Sequence, residues 1–252
     1  MTAEAYLREV LTRHTPRSGP LVVAGLGAVV EPCVRDWAGR HLRSITVSGS
    51  NAKGTAVGGQ TDVDFFISLD ARVSETLEQI YWSLYRRAHA EGWNPQPQNV
   101  SIGVEVFGSK IDLVPARVQP GYINRHSLYR RKVGSWTMTD ISQHISLISG
   151  SGRTEEIRLA KIWRAQQGLE FPSFALELAV LEATRGRRIG YLADNFLEVL
   201  RFLSSRLVDS RLVDPSNSAN IVSDDLTAAE KAVISRAASA ALIQKDWRTI
   251  IW

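Results

Sequence analysis

The sequence lacks the cysteines needed for stabilising disulfides and the long apolar run needed for a membrane-spanning helix. It has one cysteine, Cys33, in 252 residues, so no disulfide can form within the chain and a reducing compartment is expected. Its longest apolar run, Leu21–Val30, is about half as long as a membrane-spanning helix. The Glu residues and the Pro/Ser/Gly break before this run are untypical of a signal peptide. We therefore expect a cytoplasmic protein with no membrane partner.

The sequence also lacks a strong charge imbalance. Lys and Arg number 30 against 26 Asp and Glu, which gives a formal net charge of +4. This mildly basic balance suits an anionic ligand such as a nucleotide but does not by itself establish a nucleic-acid partner. The 44% hydrophobic and 22% charged residues exclude a disordered chain, a collagen and a disulfide scaffold.

The order of predicted elements indicates the fold class. Residues 1–43 are predicted to be helical, and residues 44–115 form a β-rich half that includes strands at Val63–Leu69, Val100–Phe107 and Lys110–Val114. A helix capped by Ser74 is predicted inside this half. The later helices are predicted at roughly 140–149, 154–167, 172–184, 191–208 and 227–243, the last with a capping box at Thr227–Glu230.

Strands followed by helices predict an α+β fold with two lobes. We expect a mixed β-sheet core followed by a C-terminal helical lobe, with the active site in the cleft between them. The expected domains are residues 1–137, which include the N-terminal helices, and residues 138–252.

A polar segment between the first two strands has the form of a phosphate-binding site. Gly49-Ser50 ends a strand and opens a short polar segment that is predicted to be helical. Backbone N–H groups at such a start, together with a small hydroxyl, form a cradle for phosphate. Lys53 and Thr55 add a cation and a second hydroxyl.

Three aspartates carry the predicted chemistry. Because strand side chains alternate, Asp62 and Asp64 project together while Val63 points into the core. Two adjacent like charges favour a divalent cation between them, and carboxylates without Cys or His favour Mg²⁺ or Mn²⁺. Asp112, on the strand after a hairpin, is the expected third carboxylate of a two-metal site for phosphoryl transfer. Singly, each feature is typical of a turn or a solvated strand; together they indicate a metal site.

This combination resembles the signature of the DNA polymerase β-type nucleotidyltransferase superfamily. Within it, Arg158–Trp163 is similar to a helix that carries a lysine before an aromatic residue. Pro172–Glu177 is similar to a helix start with Ser, an aromatic, Leu and Glu, and residues 214–222 resemble an "Asp-Pro…Asn-Val" loop. These motifs belong to the branch with cyclic GMP-AMP synthase, 2′-5′-oligoadenylate synthetase, the bacterial cGAS/DncV-like enzymes (CD-NTases) and archaeal CCA-adding enzymes.

The resemblance implies a role for each matching residue. Asp62, Asp64 and Asp112 would hold two Mg²⁺ or Mn²⁺ ions, with Asp112 nearest the attacking hydroxyl. The residues that would bind the nucleotide phosphates are Gly49, Ser50, Lys53, Lys161 and Ser173. From the sequence alone, Lys161 also fits an ordinary solvated helix face. Asn51 departs from the pattern, because an aromatic residue often follows Gly-Ser.

The implied activity is a nucleotidyltransferase that uses ATP or another NTP and releases pyrophosphate. The first hypothesis is transfer to a second nucleotide, which would give a linear or cyclic second messenger in antiviral defence. The alternative acceptors are a protein, an RNA 3′ end or a small molecule, and the third hypothesis is a non-catalytic module that binds nucleotide or RNA. Residues 117–132 are rich in Arg and aromatic residues and contain no Asp or Glu; they fit either an acceptor-nucleotide contact or a linker.

Overall fold

A computed structural model describes residues 1–16, 19–59 and 62–252 of the chain. By its contacts the chain divides into two compact units. The helical unit comprises residues 1–16, 54–59 and 146–252, and the sheet unit comprises the described residues of 19–53 and 62–145. The first helix and residues 54–59 thus pack with the C-terminal helices, while the domain boundary at 137/138 stays a prediction. Among the described residues, no helix combines the length and apolarity needed to cross a bilayer.

The sheet unit is built on seven strands of the described chain. Their order is β1-β2-β5-β4-β3, with β6 pairing β5 and β7 pairing β6. The β2–β5 pair is parallel and the other pairs are antiparallel, which confirms the predicted mixed sheet. The strands are β1 (Leu42–Val47), β2 (Val63–Leu69), β3 (Gln96–Pro97), β4 (Ile102–Val106), β5 (Ser109–Val118), β6 (His126–Arg130) and β7 (Ser135–Thr139). The unit's helices are α2 (Pro20–Ala38), α3 (Gly49–Lys53) and α4 (Leu77–Ala90), and α5 (Ile141–Ser149) begins in it.

Side-chain alternation along β2 separates the core from the functional face. Val63, Phe65 and Ile67 are buried in the hydrophobic core that also includes residues of α2 and α4. Asp64 and Phe66 point to the other face, because successive strand residues alternate. The predicted strand Val63–Leu69 is confirmed at both ends.

The start of α4 differs from the prediction. Ser74 does not cap this helix; its hydroxyl donates to the carboxylate of Glu75. Thr76 is the cap. Its hydroxyl accepts from the Gln79 backbone N–H, and its own backbone N–H donates to the Gln79 side-chain oxygen, which closes a capping box.

The acid-free segment belongs to the sheet. Strand β5 continues through Pro115 to Val118, and the β6–β7 hairpin follows it. Arg117 donates to the backbone carbonyls of Val73 and Glu75, so part of this cationic segment ties loops to the sheet. The linker interpretation is therefore wrong, and contact with an acceptor nucleotide stays a prediction.

The helical unit is formed largely by helices that the sequence predicts. All five predicted later helices are present, with the capping box at Thr227 and Glu230 confirmed. Its core is a separate cluster in which Trp163 is fully buried. The unit's elements are α1 (Ala3–Arg13), α6 (Thr154–Gln166), α7 (Ser173–Ala183), α8 (Leu192–Ser205), β8 (Val213–Asp214), β9 (Asn217–Ile221), α9 (Ala228–Leu242) and α10 (Trp247–Ile250), and it takes in the end of α5. The α+β fold class is confirmed.

Candidate active site

Two of the three aspartates lie side by side on the sheet. Asp64 of β2 and Asp112 of β5 are register partners in the parallel pair. Ile111 and Leu113, the neighbours of Asp112, are completely buried in the core, so the Asp112 carboxylate points to the opposite face. The predicted placement of Asp112 on a strand next to Asp64 is therefore confirmed. Cross-strand partners in a sheet are close neighbours on one face, so both carboxylates lie on the same face of the sheet.

The negative charge of Asp62 acts on Asp112 of this pair. Burial, and after it the negative charge of Asp62, raise the pKa of Asp112 to about 6. Asp62 lies immediately before β2, where its backbone carbonyl accepts a hydrogen bond from the Asn51 side chain at 3.4 Å. Asn51, the residue that departs from the superfamily pattern, thus contacts the backbone of a predicted metal ligand.

Gln98 and Ser101 support Asp112 and were missed from the sequence. The Gln98 amide donates to Asp112 Oδ1 at 2.7 Å, and the Ser101 hydroxyl lies 3.4 Å from Oδ2. Gly103, opposite Asp112 on β4, makes room for this contact, because a Cβ there would lie 2.8 Å from Gln98 Nε2. A glycine inside a strand is the sequence signal of such a close approach.

Gly49 packs directly against Asp64. The Ser48 backbone N–H donates to the Asp64 carbonyl at 2.8 Å, which joins the end of β1 to β2 just before α3 begins. Gly49 has φ +59°, and a Cβ on it would lie 1.8 Å from Asp64 Oδ2. Only glycine fits this position, so the predicted phosphate cradle of Gly49 and Ser50 begins beside a predicted metal-binding carboxylate.

A cavity of about 140 Å³ opens on the same face of the sheet. Phe66 and Val114 line it, and each lies two residues beyond one of the aspartates on β2 and β5. Lys53, which is 9% exposed, also lines it. The full lining is Ser48, Gly49, Lys53, Phe66, Val114, Leu128, Thr139, Ile141, His144 and Ile145.

The donor chemistry of the three aspartates fits a hard divalent cation. Carboxylate oxygens are preferred ligands of Mg²⁺ and Mn²⁺. The pKa of Asp112 is raised first by burial and then by repulsion from Asp62, and a bound cation would relieve that repulsion. Across residues 1–16, 19–59 and 62–252, however, no three Asp, Glu, His or Cys side chains converge as a metal-ligand group. Asp62, Asp64 and Asp112 therefore stay a predicted ligand set.

In the helical unit, Lys161 lies in a buried polar cluster. Its ammonium lies 2.7 Å from Glu177 Oε1 and 2.9 Å from the Thr55 hydroxyl. Lys161 is only 3% exposed, so the interpretation as a solvated helix face is wrong. Thr55, expected beside Lys53 in the phosphate cradle, is fully buried and donates to Glu177 at 3.0 Å.

Ser173 begins α7 and is held by a neighbouring cation. Arg164 of α6 donates to the Ser173 hydroxyl at 3.1 Å and to the Phe171 carbonyl at 2.6 Å. Burial lowers the pKa of Arg164 from its usual value. The Asp214 motif forms the β8–β9 hairpin, in which the buried Asp214 carboxylate accepts from Ser216 and Asn220. These hydrogen bonds all lie within residues 214–220.

Comparison with solved structures identifies the fold. E. coli MS115-1 CdnC, solved with ATP, superposes with a TM-score of 0.74 at 21% identity, covering 95% of this chain and 90% of CdnC. The chain has the nucleotidyltransferase fold.

The same nucleotidyltransferase fold occurs in other solved proteins. Elizabethkingia meningoseptica CdnE cyclic dinucleotide synthase, solved with GTP and Apcpp, gives a TM-score of 0.69 at 12% identity, covering 94% of this chain and 97% of CdnE. The Cid1 poly(U) polymerase bound to MgATP gives 0.68 at 13% identity, covering 95% and 93%. No protein-family model matches the sequence, and a search of curated proteins gives no match.

Proposed function

We propose that the protein is a metal-dependent nucleotidyltransferase that takes ATP or another NTP and releases pyrophosphate. One observation carries the proposal: Asp64 and Asp112 are register partners on adjacent parallel strands, and Gly49 packs against Asp64. A carboxylate pair beside a glycine-led turn suits a triphosphate with a divalent cation. The nucleotidyltransferase fold of the chain supports this activity.

Each predicted site residue has a role in this proposal. Asp62, Asp64 and Asp112 would hold two Mg²⁺ or Mn²⁺ ions. When bound, the ions would supply acidification of the attacking hydroxyl and neutralisation of charge on the departing pyrophosphate. The residues assigned to the triphosphate are Gly49, Ser50, Lys53, Lys161 and Ser173. Gln98 holds Asp112 in one orientation through its amide N–H.

The favoured acceptor is the hydroxyl of a second nucleotide. The product would be a linear or cyclic second messenger, and a role in antiviral defence follows from the resemblance to CD-NTases. The likeness to CdnE, a cyclic dinucleotide synthase, supports this acceptor. The likeness to Cid1, a poly(U) polymerase, supports an RNA 3′ end as the second candidate.

Product analysis with labelled nucleotides separates these acceptors. The protein is incubated with α-³²P-labelled NTPs and Mg²⁺ or Mn²⁺, treated with phosphatase and resolved by chromatography, with Asp64→Ala as the control. A phosphatase-resistant small product from the unaltered chain only supports messenger synthesis. Label on added RNA supports the second candidate, and label on protein supports a protein acceptor. If no metal-dependent product forms with nucleotides, RNA or cell extract, the proposed function is contradicted. Nucleotide binding that survives EDTA would then indicate a non-catalytic module.

A further inference from the structure

A buried triangle of polar side chains joins three segments of the helical unit. Lys161 of α6, Glu177 of α7 and Thr55 of residues 54–59 each contact the other two, at 2.7, 2.9 and 3.0 Å. The side chains of Lys161 and Glu177 are 4% and 1% exposed, and Thr55 is fully buried. Nothing in the roles assigned so far explains Glu177.

Burying the Lys161–Glu177 ion pair has a cost in desolvation free energy, so its presence calls for a reason beyond packing. Two charges removed from water are compensated only when their geometry is good and further hydrogen bonds satisfy them. The Thr55 hydroxyl supplies such a bond to Glu177 and accepts one from Lys161. A lysine ammonium ends a flexible four-carbon stem, so two fixed partners restrict it to one orientation. Well-packed apolar residues would hold α6 and α7 together without this cost.

We infer that Glu177 is a positioning residue, which orients the Lys161 ammonium for the triphosphate. This inference rests on the proposed function, because it takes the triphosphate role of Lys161 from there. Thr55 completes the arrangement, and it lies only two residues beyond Lys53, the last residue of α3. The cluster therefore restrains both the Lys161 ammonium and the Thr55 side chain.

The test measures binding rather than turnover. The affinities of Apcpp, a non-hydrolysable ATP analogue, and of AMP are measured by calorimetry in the presence of Mg²⁺. Glu177→Gln should reduce the preference for Apcpp over AMP by about tenfold, the effect of losing one charge-assisted hydrogen bond. AMP affinity should change little, because AMP lacks the phosphates that Lys161 would contact.

Glu156 provides a matched control on the same helix, α6. It is 3% exposed and forms a buried ion pair with Arg153 at 3.1 Å, and Asn195 donates to it at 3.0 Å. Glu156→Gln should lower the melting temperature to a similar degree but leave the Apcpp:AMP preference unchanged. If Glu177→Gln does not fold, Thr55→Val, which removes only the hydroxyl, should reduce the preference by about threefold.

The outcomes separate this inference from the proposed function. If the unaltered chain binds Apcpp and AMP equally, the proposed function fails and the inference fails with it. If the unaltered chain prefers Apcpp, and the Glu177→Gln or Thr55→Val variant keeps that preference as Glu156→Gln does, Glu177 has only a structural role. The inference alone is then overturned.

Discussion

The close contact between Gly49 and Asp64 allows a precise prediction of the effect of Gly49→Ala. In Gly49→Ala the new Cβ would lie 1.8 Å from Asp64 Oδ2, whereas real contacts of a Cβ stay above 3.0 Å. The carboxylate or the backbone must therefore move by at least 1.2 Å (3.0 − 1.8). The left-handed φ of +59° adds a strain of about 1–2 kcal/mol.

A movement of this size should lower kcat strongly while the protein stays folded. Displacing a reacting group by about 1 Å can lower turnover by about 100-fold, which corresponds to roughly 2.7 kcal/mol in the activation barrier. The measurements are kcat for NTP turnover and the free energy of unfolding in urea. We expect Gly49→Ala to lower kcat by about this factor and to retain a cooperative unfolding transition.

Gly134→Ala is the matched control. Gly134 has φ +58°, nearly the same as Gly49, but its Cβ would meet no atom within 4 Å. Gly134→Ala should therefore lower the free energy of unfolding by the backbone strain alone, about 1–2 kcal/mol, and keep full activity. A Gly49→Ala variant as active and as stable as Gly134→Ala would refute the reasoning.

A double mutant isolates the clash itself. In the Asp64→Ala background the atoms at 1.8 and 2.4 Å are gone, and only the Asp64 Cβ, at 3.0 Å, remains. The stability cost of Gly49→Ala should then shrink to that of Gly134→Ala, because contacting residues are not additive. An unchanged cost would show that the carboxylate is not the group that excludes a side chain here.

Three further predictions concern neighbouring groups in the sheet unit. Gln98→Ala should lower kcat by about tenfold, since the Asp112 carboxylate loses a hydrogen bond, whereas Gln96→Ala, an exposed position on β3, should not. Asp112→Asn should abolish turnover yet raise the free energy of unfolding at pH 7, because burial and Asp62 raise the pKa of this carboxyl and make its charge unfavourable; a destabilised variant would contradict this. Burial lowers the pKa of His126 below its usual 6.5, so the unfolded chain takes up the proton first and the free energy of unfolding should fall as pH drops below about 6.5. His126→Gln should flatten that pH dependence, and a slope unchanged by the substitution would rule out this assignment.

Local patterns in the sequence predict most of the fold. The apolar residues of α8 recur at helical spacing, and β2 is an apolar run that opens with Val63, Asp64 and Phe65, so the positions of these elements and the facing of Val63 are correct. The pairing of Asp64 with Asp112 can also be predicted from the sequence, because both residues lie on strands with buried neighbours. These features depend on residues within one element or on two adjacent strands.

Two of the missed features depend on contacts between different elements of the chain. Glu177 meets Lys161 across two helices, and no periodicity in either helix specifies that pairing. Gln98 reaches Asp112 from a loop, and only the lack of a side chain at Gly103 hints at it. The cap at Thr76 instead of Ser74 was decided by Gln79, a local signal that the prediction overlooked.

The central claim is metal-dependent transfer of a nucleotide from an NTP. The most direct measurement is pyrophosphate release from ATP, alone and with the other NTPs, before and after addition of Mg²⁺, with Asp64→Ala in parallel. We expect release that requires Mg²⁺ and disappears in the folded Asp64→Ala variant. Release at the same rate from Asp64→Ala would contradict it, because the carboxylate beside Gly49 would then have no part in the reaction.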